Sequence, residues 1–293
     1  MNQIIVINKP AGLTSQAVDT KLKHILHTKH IGHLGTLDPI ATGVLVVMVD
    51  GATKLAPFLE NDDKEYIATI CFGKRTDTLD ITGTVLEEQK NPMVDLFKFD
   101  EILEKFKGEI IQVPPKFSAL KVNGKKLYEY AREGKEVDIK PRPVTIYELE
   151  RLGEIFSDES YAYVKIRVFC SKGTYIRTLI DDIGKQLKVP CCMSALARTK
   201  CGNFTFANSV ELEDVAKGEY HFYKMQDALD LPTIAISDQE LLKKVLNGMK
   251  LSPNTFNTKY KQVALTYLDE LIAIYEFKEN DIPGYHALRV WNS

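Results

Sequence analysis

The stretch Gly32-His33-Leu34-Gly35-Thr36-Leu37-Asp38-Pro39-Ile40-Ala41-Thr42-Gly43 lies between a helical pattern and an apolar run over residues 44–49. Its glycines and proline disfavour a helix or a strand and predict a shaped loop, and the apolar run predicts a buried strand behind it. Asp38 is the only acid in the stretch, and Pro39 favours an extended backbone that presents the carboxylate. Asp38 is therefore either a displayed functional carboxylate or the side chain of an Asx turn.

The composition is that of an ordinary globular protein. At 293 residues, with 44% apolar and 27% charged residues, the chain can bury a large core and one smaller domain. Its apolar runs are too short to span a bilayer, and the N-terminus has no secretory pattern. Five cysteines without disulfide-like spacing are typical of reduced thiols. We expect a cytoplasmic protein without a membrane partner.

The net charge of −2 argues against a nucleic-acid partner, but it conceals a basic segment. Over residues 114–142, eight basic residues face four acids, with three aromatic residues among them. That mixture suits phosphates together with exposed bases, although a solvated surface hairpin would look the same. The basic residues are Lys116, Lys121, Lys125, Lys126, Arg132, Lys135, Lys140 and Arg142.

Periodicity predicts an α/β chain. Strand patterns are present at residues 4–7, 66–72 and 161–169. One helix is predicted to begin after Thr14 or Ser15, and another after Asp100, ending at Gly108. A third helix is predicted after residues 171–174. Arg177 falls in the first turn of the last helix, where a cation is disfavoured, so it is either paired with a carboxylate or phosphate or is a surface arginine. After about residue 230, short strand patterns predict a small β-rich module with a hairpin over residues 262–277.

Four histidines recur every three residues, at His24, His27, His30 and His33. Metal-binding pairs on a helix favour a spacing of four, so we expect no metal there and interpret the first three as helix-end surface residues. Gly32 places His33 outside the helix.

The string GHLGTLDPIATGVL closely resembles the catalytic motif of the TruB-type tRNA pseudouridine synthases. The resemblance extends in order along the chain, through VINKPAGLTS (6–15), the Lys64-Glu65-Tyr66 string, residues 77–83, PPKFSALKVNGKKLYEYAREG, SKGTYIRTLIDDIG and ALARTKCGNF. It implies a pseudouridine synthase fold, α/β (α+β), with a mixed, mainly antiparallel sheet flanked by helices. A catalytic domain would occupy residues 1–231, with a thumb insertion at about 114–147, and a PUA-like RNA-binding domain residues 232–293.

The implied reaction isomerises uridine to pseudouridine at T-loop position 55 of tRNA, without a metal or a cofactor. By resemblance, Asp38 is the catalytic carboxylate, kept ionised by its ion-pair partner Arg177. Tyr66 would stack on the flipped base, and His33 would fill the gap that the base leaves. The remaining implied residues are Asp80 and Leu196 in the base pocket, Lys9 as a support of the loop or a phosphate contact, and Lys121, Lys125, Lys126 and Arg132 in the thumb.

Alternative functions remain open from the sequence. The chain could be an RNA-binding or tRNA-folding protein with or without catalysis, although Asp38 and Arg177 are both present. It could be a guide-RNA-dependent synthase, or a glycosidase-like hydrolase with Asp80 as a second acid. We expect a monomer that binds the T arm of tRNA.

Overall fold

The computed structural model describes residues 2–59, 63–257, 259–279 and 283–291. In chain order its elements are β1 Gln3–Lys9, α1 Ser15–Ile25, β2 Ile31–Leu34, β3 Thr42–Val49, α2 Ala56–Leu59, β4 Lys64–Phe72, β5 Lys74–Thr76, β6 Val85–Glu88, α3 Leu96–Lys105, β7 Gly108–Gln112, β8 Lys121–Val122, β9 Lys125–Lys126, α4 Leu127–Arg132, β10 Arg142–Ser157, β11 Ala162–Cys170, α5 Ile176–Leu187, β12 Cys191–Cys201, β13 Phe204–Thr205, α6 Leu212–Lys217, β14 Thr233–Ala235, α7 Gln239–Leu246, β15 Gln262–Tyr267, β16 Glu270–Lys278 and β17 Gly284–Val290.

A nine-stranded sheet organises most of the chain. Its order is β1-β3-β12-β4-β11-β10-β7, with β2 paired to β3 and β13 to β12. β3 and β12 are parallel, and the other neighbours are antiparallel. The predicted mixed, mainly antiparallel sheet is therefore confirmed.

Burial explains why some strands have a continuous apolar sequence and others alternate apolar with polar residues. β3 is buried on both faces: Leu45 and Val47 pack with α1 and α6, whereas Val44 and Val46 pack against the second sheet. Hence its sequence is a continuous apolar run. β11 has one face in the core under α3 and α5, and its sequence alternates.

The basic segment is inserted between two neighbouring strands of the sheet, β7 and β10. It contains the β8–β9 hairpin and α4. Its predicted end at residue 147 is too late, because Arg142–Ser157 already belongs to the main sheet and pairs with β7 from Arg142 onward.

The chain after residue 232 forms a four-stranded sheet, β14-β15-β16-β17, and its predicted hairpin is the pair β15–β16. This module packs directly on the large sheet, since Ala264, Leu271, Ile274 and Trp291 share a core with β1 and β3. The indole Nε1 of Trp291 also donates to the Gly51 carbonyl at 2.8 Å.

Two local expectations are corrected. Asp95, rather than Asp100, caps α3, and Asp100 lies within the helix, where its carboxylate makes a bidentate pair with Arg151. Gly32 and His33 belong to β2 instead of the loop, because their backbone pairs with β3. None of the helices in the described ranges is long and apolar enough to cross a membrane.

Candidate active site

The Asp38 loop joins β2 to β3 and is held by the segment between β1 and α1. The Leu37 amide donates to the Ser15 hydroxyl at 2.9 Å, and the Gly12 amide donates to the Pro39 carbonyl at 2.8 Å. Those two bonds fix the backbone on both sides of Asp38, so its carboxylate has a defined position before any substrate binds.

Two glycines let this loop pass close to Arg198. Gly35 has a φ of +60° and Gly43 a φ of +95°, a region that favours glycine. A Cβ at Gly43 would lie 2.3 Å from the Arg198 carbonyl oxygen, and one at Gly35 would lie 3.0 Å from its guanidinium. The loop therefore requires glycine at both positions.

Asp38 and Arg177 form a bidentate ion pair. Asp38 Oδ2 lies 2.9 Å from Arg177 Nε, and Oδ1 accepts from Nη2 at 3.0 Å. The remaining guanidinium donors reach the carbonyls of Thr78 and Phe117, each at 2.9 Å, and Asp80 Oδ2 lies 3.6 Å away. Of the two alternatives for this arginine in an unfavourable helix position, the structure shows the paired one, and its partner is a carboxylate.

The electrostatics of Asp38 have opposing causes. Burial raises the pKa of Asp38, the Arg177 guanidinium lowers it, and the Asp80 carboxylate raises it again. The pKa of Asp38 is therefore raised overall, whereas a neighbouring guanidinium alone would lower it. Because the Asp38 side chain remains 33% exposed, solvent still reaches it.

A cavity of about 290 Å³ opens in front of this pair. Asp38, Arg177, Tyr66 and Leu196 line it, so four of the predicted site residues meet there. Further walls come from residues to which the sequence assigned no role: Lys64, Tyr175, Arg198 and the insertion residues Ser118, Ala119 and Leu120. The insertion is thus part of the site.

Tyr66 presents its side chain from β4 and is 8% exposed. Burial raises the pKa of its phenol to about 12, against which the nearby Arg198 acts. Tyr66 is consequently a neutral phenol at physiological pH; it lines the cavity, and its hydroxyl interacts with Arg198.

Arg198 is the principal residue that the sequence analysis missed. It is 1% exposed, and its guanidinium donates to the Val44 carbonyl at 2.7 Å and to the Leu34 carbonyl at 3.4 Å. It therefore joins β12 to both ends of the Asp38 loop. The string ALARTKCGNF contains this arginine, but nothing in the string indicates that its guanidinium is buried.

Apart from the thumb residues, three residues predicted for the site are not among the described residues that line the cavity. Lys9 is buried behind the loop, where Nζ donates to the carbonyls of Leu13 at 2.6 Å and Pro10 at 2.9 Å. Burial lowers its pKa to about 8. These contacts favour the role of Lys9 as a support of the loop over its alternative role as a phosphate contact.

Asp80 and His33 are the other two, and each is held by neighbours. Asp80 lies behind Arg177, with Oδ1 accepting from the Thr82 amide at 3.0 Å. His33 Nδ1 lies 2.8 Å from Asp19 Oδ2, and Nε2 lies 3.3 Å from the Thr36 hydroxyl. Both side chains are oriented by the protein alone.

The predicted thumb residues differ in their availability. Lys121 is exposed, whereas Lys125 forms an ion pair with Glu133. Lys126 and Arg132 lie over the Tyr128 ring, at 5.5 and 5.4 Å from its centroid. The insertion therefore presents cations and aromatic rings on one small unit.

Comparison with known proteins identifies the fold. A solved structure of a Cbf5-Nop10-Gar1 complex superposes with a TM-score of 0.72 at 27% identity, covering 99% of this chain and 84% of that one. A box H/ACA ribonucleoprotein bound to a substrate RNA gives a TM-score of 0.70 at 25% identity, with coverages of 99% and 85%. The predicted pseudouridine synthase fold is confirmed.

Sequence comparison gives the family. The N-terminal domain model of the TruB family pseudouridylate synthases matches residues 23–176, and that of the tRNA pseudouridylate synthase B C-terminal domain matches residues 177–250. The division between them falls inside α5, not between the two sheets. A curated relative, tRNA pseudouridine synthase B of Staphylococcus aureus (strain MSSA476), is 42% identical, with 94% of each chain covered. The chain therefore belongs to the TruB family of pseudouridylate synthases.

Proposed function

We propose that this protein converts uridine to pseudouridine in tRNA, at T-loop position 55, with Asp38 as the catalytic carboxylate. The observation that carries the proposal is the bidentate Asp38–Arg177 pair in the wall of a cavity of about 290 Å³, beside Tyr66. A cavity of that size approaches the lower end of the range for small-molecule sites, which suits one flipped nucleoside.

The reaction breaks the bond from uracil N1 to ribose C1′ and forms a bond from C5 to C1′. C5 loses its proton and N1 takes one up, so the product is an isomer of uridine. Asp38 acts in its ionised form, as a nucleophile at C1′ of the ribose or C6 of the uracil, or as the group that guides elimination through a glycal. Each route requires a carboxylate within contact of the nucleoside. Arg177 orients that carboxylate through two parallel donors, which a single ammonium could not supply.

Extrusion of the uridine from its stack costs a few kcal/mol. Stacking on an aromatic side chain returns about 1–3 kcal/mol. Tyr66 and Leu196 provide the two apolar walls for this purpose. His33, held in place by Asp19 and Thr36, is proposed to occupy the space that the uridine vacates.

The surrounding RNA is bound by the insertion and the C-terminal module. Lys121, Lys126 and Arg132 place positive charge and an aromatic ring near the cavity mouth that Ser118–Leu120 help to form. Recognition of this kind reads the shape of an RNA loop. The small sheet, with exposed Lys243, Lys244 and Lys261 around it, is proposed to be the PUA-like RNA-binding domain.

A stand-alone enzyme is favoured over a guide-dependent one. Identity is 42% to the tRNA pseudouridine synthase B relative and 27% to the Cbf5 complex. The proposal includes a monomer that acts on the T arm of tRNA in the cytoplasm. Asp80 lies behind Arg177, so it is not positioned as the second acid of a hydrolase.

The direct test is incubation of the purified chain with an unmodified tRNA transcript that carries tritium at C5 of uridine. Release of one equivalent of tritium per tRNA, with pseudouridine mapped at position 55, is expected. A transcript with C5-tritiated uridines but cytidine at position 55 is the matched control. Absence of tritium release from the unaltered transcript would overturn the proposal.

A further inference from the structure

We propose that Arg75 and Asp181 are positioning residues, which hold the Asp80 loop and Arg177 in fixed relation to each other. This inference rests on the proposed function, because it concerns the alignment of the Asp38–Arg177 pair. The two residues lie outside the cavity lining, and they are bonded to each other between the β5–β6 hairpin and α5.

The helix places Asp181 and Arg177 on one face. They are four residues apart in α5, so their side chains lie about one turn apart on the same side. Arg177 is 5% exposed and Asp181 is also 5% exposed. Both side chains are therefore buried. The body of α5 packs against β12, α3 and β4, and Asp181 reaches the β5–β6 hairpin through its carboxylate.

Arg75 connects the hairpin to Asp181. Its Nε donates to Asp181 Oδ1 at 2.6 Å, and its Nη1 donates to Glu87 Oε1 at 2.9 Å. Arg75 lies on β5 and Glu87 is its partner on β6. One guanidinium thus joins both strands of the hairpin to the helix, while the second oxygen of Asp181 lies 2.8 Å from Nζ of Lys185 on the same helix.

The same hairpin carries two further ligands of Arg177, besides Asp38 and the Phe117 carbonyl. Its loop supplies the Thr78 carbonyl at 2.9 Å and the Asp80 carboxylate at 3.6 Å. Thr76, the residue after Arg75, donates from its hydroxyl to the Asp80 carbonyl at 2.6 Å. A continuous series of contacts therefore runs from Asp181 through Arg75 and Thr76 to Asp80, and returns to α5 at Arg177.

This closed series fixes the helix to the loop at two points one turn apart. The Arg75 contact prevents the hairpin from moving along α5, and the Arg177 contacts then meet their ligands without adjustment. The loop is also bonded to β12, through Leu79 and Ile81 to Met193, so loss of the first point should shift Thr78 and Asp80 relative to Arg177 without releasing the loop. A displacement of about 1 Å at a catalytic group can cost on the order of a hundredfold in rate.

The test is single-turnover kinetics on unmodified tRNA with the variants R75M, R75K and D181N. The rate constant of R75M is expected to fall by about 10- to 100-fold, with the dissociation constant for tRNA within about twofold of wild type. R75K keeps one donor toward Asp181 and should recover most of that rate. D181N should behave as R75M does, and it carries the test if R75M fails to fold.

The matched control is R151M. Arg151 also makes an ion pair that joins a helix to the large sheet, with Asp100 at 2.9 Å and a similar exposure, 21% against 30% for Arg75. Both R151M and R75M should lower the melting temperature, but R151M should leave the rate constant within twofold of wild type. A reduced rate in both variants would show a general effect of stability and would overturn the positioning role.

A second readout uses D80N. If Arg75 acts through the Asp80 loop, the R75M/D80N double variant will be no slower than the slower single variant. Multiplied effects in the double variant, or an unimpaired R75M beside an active wild type, would overturn the inference while leaving the proposed function intact. A wild-type chain that forms no pseudouridine would overturn both.

Discussion

The carboxylate of Asp38 and the guanidinium of Arg177 meet through two contacts of 2.9 and 3.0 Å, across 139 residues of sequence. The two side chains differ in exposure: Arg177 is almost fully buried, whereas a third of the Asp38 side chain is exposed. The free side of the carboxylate is thus the side on which a nucleoside can bind.

Replacement of Asp38 by Asn should abolish pseudouridine formation and keep the fold. Removal of a nucleophile typically costs about 10⁴- to 10⁶-fold in rate. Arg177 would still have the Thr78 and Phe117 carbonyls and Asp80 as partners, so its charge would not be left unpaired. Tritium release and tRNA affinity are the measurements, and Asp100→Asn, at another bidentate pair, is the control. Turnover by the Asp38 variant would contradict the assignment.

Two substitutions at Tyr66 separate the ring from the hydroxyl. Tyr66→Phe keeps the aromatic face and should bind and turn over tRNA within a few-fold of wild type. Tyr66→Leu removes the face and should weaken productive binding by about 10- to 100-fold, the equivalent of 1–3 kcal/mol of stacking. Tyr163→Leu controls for removal of a ring from the opposite face of the sheet. A much slower Tyr66→Phe would instead show that the phenolic proton is required.

The insertion should contribute to RNA affinity through charge. Neutralisation of Lys121 and Lys126 to Gln should lower the slope of log affinity against log salt by about 0.7–0.9 for each phosphate that is no longer neutralised. Lys125 is a poorer choice, because its ion pair with Glu133 already offsets its charge. Lys165→Gln, an exposed lysine on β11, is the control. An unchanged slope would remove these two lysines from the interface.

Lys9 should make stability depend on alkaline pH. Its pKa is lowered to about 8 from the ordinary 10.5, chiefly by burial. Between those values the unfolded chain holds a proton that the folded chain has released, so the free energy of unfolding rises with pH. Relative to Lys9→Met, wild type should gain about 3 kcal/mol from pH 8 to pH 10.5. Denaturant titrations measure this, and a constant difference between the two chains would show that the pKa is not lowered.

Local patterns predicted those elements in which one physical cause dominates. β11 alternates because one face is buried, and α5 carries an apolar stripe, so both were predicted to within a few residues. The start of α3 was misplaced because Asp95 and Asp100 are both acceptable caps by sequence. The partner that distinguishes them, Arg151, lies 51 residues after Asp100 in the chain.

The site residues that were predicted are likewise those with a local signal in the sequence. The Asp38 loop and the unusual position of Arg177 are visible in sequence, because each contradicts a local preference. The burial of Arg198 contradicts none, because Thr199 and Lys200 beside it are polar as well and suggest an exposed segment. Its importance depends on the approach of Gly35 and Gly43, which only the assembled sheet brings about.

The parallel pairing of β3 with β12, at Thr42 with Ala197 and Gly43 with Arg198, has a kinetic consequence. The paired residues are separated by more than half of the chain, and long closures of this kind form slowly. The active site is therefore expected to form late in folding, when β3 and β12 pair. We expect refolding followed by tritium release to lag behind refolding followed by helical circular dichroism.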